Sequence, residues 1–257
     1  MYPIHFVERG IGKPIILLHG FCETHEIFNE FSISLANDYR IIIPDLPGFG
    51  NSPLTKEFFT LHDISKTMCD WLDAIHIDSC ILIGHSLGGY ITLDMANFQP
   101  NRFEGIGLFH STANSDTPEK KAGRDAVNDF VERNGVEAFT KTFVPGLFFN
   151  PDHEAVRPVN EIAKLTKARS IIGHNLAMKG RPAHLDFLSN SEKPILIIAG
   201  EHDSIIPIAT LHEQSRLNAM IQFNALPETG HMGMYECANR ASQIIKDFAD
   251  LCYLERP

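Results

Sequence analysis

Positive charge is scarce in this chain: 22 Lys and Arg stand against 32 Asp and Glu, for a formal net charge of −10. Nucleic-acid affinity rests largely on clustered cations facing phosphates, so no nucleic-acid partner is expected. Long apolar runs are missing too. Stretches such as Pro14-Ile15-Ile16-Leu17-Leu18 are strand-sized and far short of a bilayer span, so no membrane partner is expected either. Cysteine is sparse and odd in number: five residues, scattered, with no C-x-x-C pair. Free thiols in a reducing compartment are the simplest account. The start, Met1-Tyr2-Pro3-Ile4-His5, lacks a basic region followed by an apolar run, so no secretory signal and a cytoplasmic location are expected. The phosphate-loop pattern G-x-x-x-x-G-K-S/T is absent, as is an H-x-x-x-H pair or a cysteine cluster. Neither cofactor nor metal is expected.

The hydrophobic fraction of 44% and charged fraction of 21% suit a soluble globular enzyme. A length of 257 residues allows one large α/β domain with room for an insertion. No internal repeat or low-complexity segment interrupts it. Short apolar segments alternate with amphipathic ones. After an N-terminal hairpin near Ile4 to Val7, strands are expected at Ile15–Leu18, Arg40–Ile43, Cys80–Ile83, Ile106–Phe109, Ile195–Ala199 and Met220–Phe223. Most are continuously apolar, as parallel strands buried on both faces are. Leu61, Ile64, Met68, Trp71, Leu72 and Ile75 recur at helical spacing, as do Ala241, Ile244, Ile245 and Phe248. This alternation implies right-handed crossovers and a doubly wound sheet.

The rhythm breaks between about Ser111 and Asn190, where helical pattern continues without a convincing strand. Pro118, Pro145, Pro151, Pro158 and Pro182 punctuate the stretch. It reads as a helical insertion, residues 111–190, between the sixth and seventh strands. It would lie as a lid over a core made of residues 1–110 and 191–257; an ordinary long crossover is the alternative.

The strongest local signal is Ile81-Leu82-Ile83-Gly84-His85-Ser86-Leu87-Gly88-Gly89-Tyr90: a buried strand, then G-x-S-x-G, then a helix that must stop before Pro100. A serine on a sharp strand-to-helix turn is thrust out of the sheet, and side chains at Gly84 and Gly88 would collide across the turn. Its hydroxyl needs a base, and the base needs a third group to hold its tautomer. Asp203 follows the strand ending at Ala199, and His231 follows the last strand, so both loops emerge at the same sheet edge as Ser86. Asp116 and Glu201 are the rival acids. His202 precedes the last strand, out of order for a base, and His85 should pack beneath the turn. Backbone N–H groups of Leu87 and of Phe21, in His19-Gly20-Phe21-Cys22, are the candidate donors for an oxyanion. Asp45 and its Gly/Pro-rich neighbours read as loop architecture, and Cys22 as inert packing beside the oxyanion loop.

Together, His19-Gly20-Phe21, Asp45-Leu46-Pro47-Gly48-Phe49-Gly50-Asn51-Ser52, Gly84-His85-Ser86-Leu87-Gly88-Gly89, Gly200-Glu201-His202-Asp203 and Gly230-His231 resemble the α/β-hydrolase superfamily. The resemblance spans nearly the whole chain except the insertion. It implies an eight-stranded, mostly parallel sheet flanked by helices, a cap inserted after the sixth strand, and no cofactor. Serine at the elbow points away from haloalkane dehalogenases and epoxide hydrolases, which use a carboxylate there. Glu236 matches the Glu that often follows the triad His, while Ala238 stands where the family usually has Pro. The short cap is similar to that of small-molecule esterases and enol-lactonases. The expectation is thus a serine hydrolase acting on a small carboxylic ester, as a monomer or homodimer. A lactonase, thioesterase, C–C hydrolase, perhydrolase or acyltransferase with the same triad is an alternative. A non-enzymatic small-molecule sensor on the same fold is another.

Overall fold

The computed structural model describes residues 3–54 and 56–254. Seven strands form one sheet: β1 (Phe6–Arg9), β2 (Pro14–Leu18), β3 (Arg40–Pro44), β4 (Cys80–His85), β5 (Phe103–Phe109), β6 (Ile195–Gly200) and β7 (Ile221–Leu226). Their spatial order is β1-β3-β2-β4-β5-β6-β7. All neighbours are parallel except β1, which runs antiparallel to β3.

Two expectations are corrected here. The sheet has seven strands among the described residues rather than eight, because the N-terminal segment supplies one strand and not a hairpin. β1 pairs with β3, placing Phe6 opposite Pro44 and Arg9 opposite Ile41. A local apolar pattern announces a strand but not a partner so far along the chain. The helical stretch therefore follows the fifth strand, although it lies where it was expected along the sequence.

Strand side chains alternate between two apolar layers. Ile16, Leu18 and Leu82 face one layer with Leu61, Ile64, Met68 and Leu72 of α2, where α1 is Phe31–Leu35 and α2 is Leu61–Ala74. Ile15, Leu17, Ile81 and Ile83 face the other, with Phe31 and Leu35 of α1. Thr60 starts α2 with a capping box: its hydroxyl accepts from the Asp63 N–H, and the Asp63 carboxylate accepts from the Thr60 N–H. The next helix, α3 (Leu87–Phe98), sits against β4 and β5 and is buried from Leu87 to Ala96, so its sequence is mostly apolar.

Between β5 and β6 the chain forms α4 (Pro118–Asn134), α5 (Val136–Phe143), α6 (Val156–Ala163), α7 (Ala168–Lys179) and α8 (Leu185–Asn190), with no strand. Prolines mark the boundaries: Pro118 opens α4 at its first turn, where no N–H is needed. The fold closes with α9 (Ile208–Gln214), α10 (Gly233–Glu236) and α11 (Ala238–Leu254). None of the described helices is long and apolar enough to cross a membrane.

α11 packs on the second layer through Ala241, Ile245 and Phe248, all fully buried. Phe248 fills the space left by Gly105 of β5, where a Cβ would come within 2.8 Å of its ring. Phe248→Ala is expected to lower unfolding stability by about 3–5 kcal/mol, the cost of a large unfilled core site. Urea denaturation of this variant beside Phe98→Ala, whose ring is 46% exposed, provides the check: the second change should cost far less.

Candidate active site

A parallel sheet delivers the carboxyl ends of β2, β4, β5, β6 and β7 to one edge, and the candidate residues leave from those ends. Ser86 occupies the turn between β4 and α3 with φ 50° and ψ −114°, left-handed backbone that a serine adopts only under constraint. Glycines make the turn possible. A Cβ on Gly84 would run into the Gly88 carbonyl, and one on Gly88 would meet the carbonyls of Leu18 and His19. Ser86 is also held by its backbone: its N–H donates to the Phe109 carbonyl at 3.0 Å, and its carbonyl accepts from the Ser111 hydroxyl at 2.7 Å. Leu87 is the first residue of α3, where N–H groups have no partner within the helix.

His231 and Asp203 meet as their places in the chain imply. His231 Nδ1 lies 2.7 Å from Asp203 Oδ2, and both side chains are buried. The other oxygen, Oδ1, accepts from the N–H groups of Ile205 and Ile206 at 2.8 and 2.9 Å. Burial would raise the pKa of this carboxyl, but His231 and His110 outweigh it and hold the group well below the usual carboxylate range. Ser86 and His231 line one cavity of about 370 Å³, together with Phe21, Val127, Phe139, Phe143 and Leu147. The rival acids lie elsewhere: Asp116 is bound to Arg124 and Arg181, and Glu201 is exposed. A larger groove of about 520 Å³, bordered by Ala96, Asn101, Asp186 and Lys193, lies near the start of β5 and holds none of these residues.

Four further residues complete the arrangement. His85, expected only to pack beneath the turn, is wholly buried and bridges two loops: Nδ1 is 3.0 Å from Glu23 Oε2 and Nε2 is 2.8 Å from the His231 carbonyl. Both ring nitrogens thus meet an oxygen atom. Burial would lower the His85 pKa, but Glu23 and the carbonyl raise it above its ordinary value. Burial likewise opposes ionisation of Glu23, and His85 reverses that, so Glu23 ionises more readily than usual. The Glu23 carboxylate also accepts from the Gly20 N–H at 2.5 Å, inside the loop that carries Phe21. His110 follows β5 with φ 49°. Its Nε2 accepts from the Gly233 N–H at 3.2 Å, so the proton of the neutral ring sits on Nδ1. That atom is 3.3 Å from Asp203 Oδ2, without the geometry of a full hydrogen bond. Glu236 gathers three N–H groups: Gly230 at 2.9 Å and Met232 at 3.3 Å, which flank His231, and Phe149 at 2.6 Å.

Sequence reasoning passed over Glu23 and His110. Glu23 stands three residues after Gly20, in the spacing of a side chain that folds back onto a backbone N–H, which is the signal that could have found it. Nothing in the pattern around His110 sets it apart from the other histidines. Cys22 is buried outside the cavity lining, and burial pushes its thiol up.

Among the described residues, two groups of three could hold a metal ion: His110, Asp203 and His231, and His5, His25 and Asp45. In the second, Asp45 already accepts from the N–H groups of His25 at 2.8 Å and Asn51 at 2.9 Å, and both rings approach it at hydrogen-bond distances of 2.8–2.9 Å. That geometry braces the Gly/Pro-rich loop; metal ligation would need ligands about 2.0–2.2 Å from a common centre.

Two buried histidines make stability depend on pH. Burial lowers the pKa of His110, and of His174 on α7, from 6.5 to about 4. Between those values the unfolded chain binds protons at these sites and the folded chain does not, so stability falls as pH drops. Each contributes about 1.4 kcal/mol per pH unit across this window. His174→Asn can retain a donor toward the Ser170 carbonyl, which His174 Nδ1 meets at 2.8 Å, while removing the titration. Denaturant midpoints at pH 7, 6 and 5 should show a shallower loss for that variant.

Comparison with known proteins agrees with this architecture. A family model described as "alpha/beta hydrolase fold" matches residues 13–134. The dihydrolipoyllysine-residue acetyltransferase component of the acetoin cleaving system of Pseudomonas putida is 26% identical over 240 residues, covering 90% of this chain. The match spans 62% of that relative, less than two thirds of its length. A thermophilic esterase from Thermogutta terrifontis, in a malate-bound structure, superposes with a TM-score of 0.92 at 25% identity, covering 97% of this chain and 94% of that one. The enol-lactonase from Burkholderia xenovorans LB400 gives a TM-score of 0.87 at 19% identity over 96% of both chains. With this sheet order, the turn at Ser86 and the family match over residues 13–134, the chain adopts the α/β-hydrolase fold.

Proposed function

We propose that the chain is a serine hydrolase that cleaves a small carboxylic ester through an acyl-enzyme on Ser86. The observation that carries this reading is the 2.7 Å contact of His231 with Asp203, in a cavity that His231 shares with Ser86 on its left-handed turn. His231 takes the Ser86 proton as the hydroxyl attacks the carbonyl carbon. The backbone N–H groups of Phe21 and Leu87 receive the oxyanion, each contributing about 3 kcal/mol to the transition state. Collapse of the tetrahedral intermediate breaks the C–O bond, and His231 hands its proton to the departing alcohol. Water, deprotonated by His231, then releases the acid and restores Ser86. Asp203 keeps the His231 proton on Nδ1 and stabilises the imidazolium. No cofactor enters these steps, and a lactone or thioester would pass through the same acyl-enzyme.

Residues 111–190 serve in this reading as a cap whose side chains select the substrate. Val127, Phe139, Phe143 and Leu147 line the cavity beside Ser86, and small-molecule sites are generally apolar with a few placed polar groups. The five free cysteines suit a reducing compartment, and we place the protein in the cytoplasm, as a monomer or homodimer.

Ser86→Ala is expected to reduce 4-nitrophenyl acetate hydrolysis at least about a thousandfold with folding intact. A fluorophosphonate should label Ser86 in the wild type and fail to label His231→Ala. Normal turnover by folded Ser86→Ala would overturn the mechanism. Asp203→Asn should slow kcat by roughly 10⁴ through loss of the correct tautomer. If Asp116→Asn proves the crippling change and Asp203→Asn mild, the acid is misassigned.

A further inference from the structure

One wall of the cavity that holds Ser86 carries more positive charge than its surroundings balance. Arg124, Lys120 and Tyr90 all line it. Behind them Asp116 is completely buried and paired with two guanidinium groups, through Arg124 Nε and through Arg181 Nη1 at 2.7 Å. The Arg181 side chain is only 4% exposed and that of Arg124 18%, so one carboxylate faces a buried and a partly buried cation. Nε of Arg181 has no hydrogen-bond partner, and its guanidinium carbon lies 3.8 Å from the centroid of the Tyr90 ring, the ring that borders the cavity. Lys120 stands at the rim, where Nζ meets the Ile205 carbonyl at 3.2 Å and, among the described residues, no carboxylate within ion-pair distance. The other carboxylates at this site are occupied: Glu23 with His85, and Asp203 with His231. Lys120 and Arg124 on the wall, with Arg181 behind them, therefore stand against Asp116 alone.

A buried guanidinium without full compensation is costly, and a cavity is where a ligand can supply the missing charge. Arg124 already commits Nε and Nη2 to Asp116 and Nη1 to Asn175. What remains is the Lys120 ammonium beside the field of the two arginines, a site for a small, singly charged anion. Val127, Phe143 and Met178 add hydrocarbon to the same lining.

We infer that the natural acyl group ends in an ionised carboxylate, which the Lys120–Arg124 wall receives while Ser86 attacks the other end. The substrate class is then a monoester or lactone of a short dicarboxylic acid. The inference rests on the serine-hydrolase reading for its chemistry but not for its anion site.

Two measurements separate the two. The first compares kcat/KM for 4-nitrophenyl hemiglutarate with that for 4-nitrophenyl valerate, esters of equal chain length that differ by one terminal charge. The wild type should favour the anionic ester by about tenfold or more, mainly through KM, and lose much of that preference in 0.5 M salt and in Lys120→Met. The second titrates folded Ser86→Ala with monomethyl glutarate and with methyl valerate by calorimetry. The anion should bind more tightly, and the advantage should shrink when Lys120→Met is added. Turnover of valerate with no preference for the charged ester, or a preference that Lys120→Met leaves intact, overturns the anion site. Anion-selective binding without turnover of either ester supports the site and defeats the hydrolase reading instead.

Discussion

Beneath Ser86 the side chains of Glu23 and His85 are buried together, and the loops at one edge of the sheet are tied to them. Glu23 reaches the Gly20 N–H and the His85 ring, while the far side of that ring holds the His231 carbonyl. His85 also directly precedes Ser86, so the pair links the turn at Ser86, the Gly20–Phe21 loop and the His231 loop through one set of hydrogen bonds. Polar groups taken out of water are costly unless each atom finds a partner. Here both nitrogens of the imidazole are satisfied. Removing either partner would leave a buried polar group without its hydrogen bond, which makes this pair a stronger constraint on loop position than apolar packing of the same volume.

The base loop is held from other directions as well. His231 donates its N–H to the Leu147 carbonyl at 2.6 Å, and Glu236 collects the N–H groups on either side of it together with that of Phe149. The helical stretch after β5 is thus hydrogen-bonded directly to the loop that carries His231. A change near Leu147, which lines the cavity, or near Phe149 acts on the position of His231. His110 adds a neutral imidazole on the flank of Asp203, so the buried carboxylate faces two rings rather than one.

Much of this was legible in the residues because local rules and site chemistry point the same way. The continuous apolar runs at Ile15–Leu18 and Ile195–Ala199 became central strands, and the run after Thr60 became α2 with its capping box. The glycines around Ser86 announced a turn that admits no side chains, and the order Ser86, Asp203, His231 matched strand ends that the sheet brings to one edge. The strand count was less legible. β1 takes its register from β3, and nothing near Phe6 records that pairing.

The sequence by itself determined the elements, the strained turn and the residue types capable of acyl transfer, because each depends on neighbours within a few positions. Tertiary structure alone decided which groups share a proton or a charge. His85 lies 62 positions from Glu23 and 146 from His231, and Asp116 meets Arg181 across 65. Contacts at such separations follow from how the sheet stacks its loops and how helices close over them. Whether His85 is surface, filler or a bridge between loops depends on which oxygens the fold sets against its two nitrogens, and no local pattern carries that information.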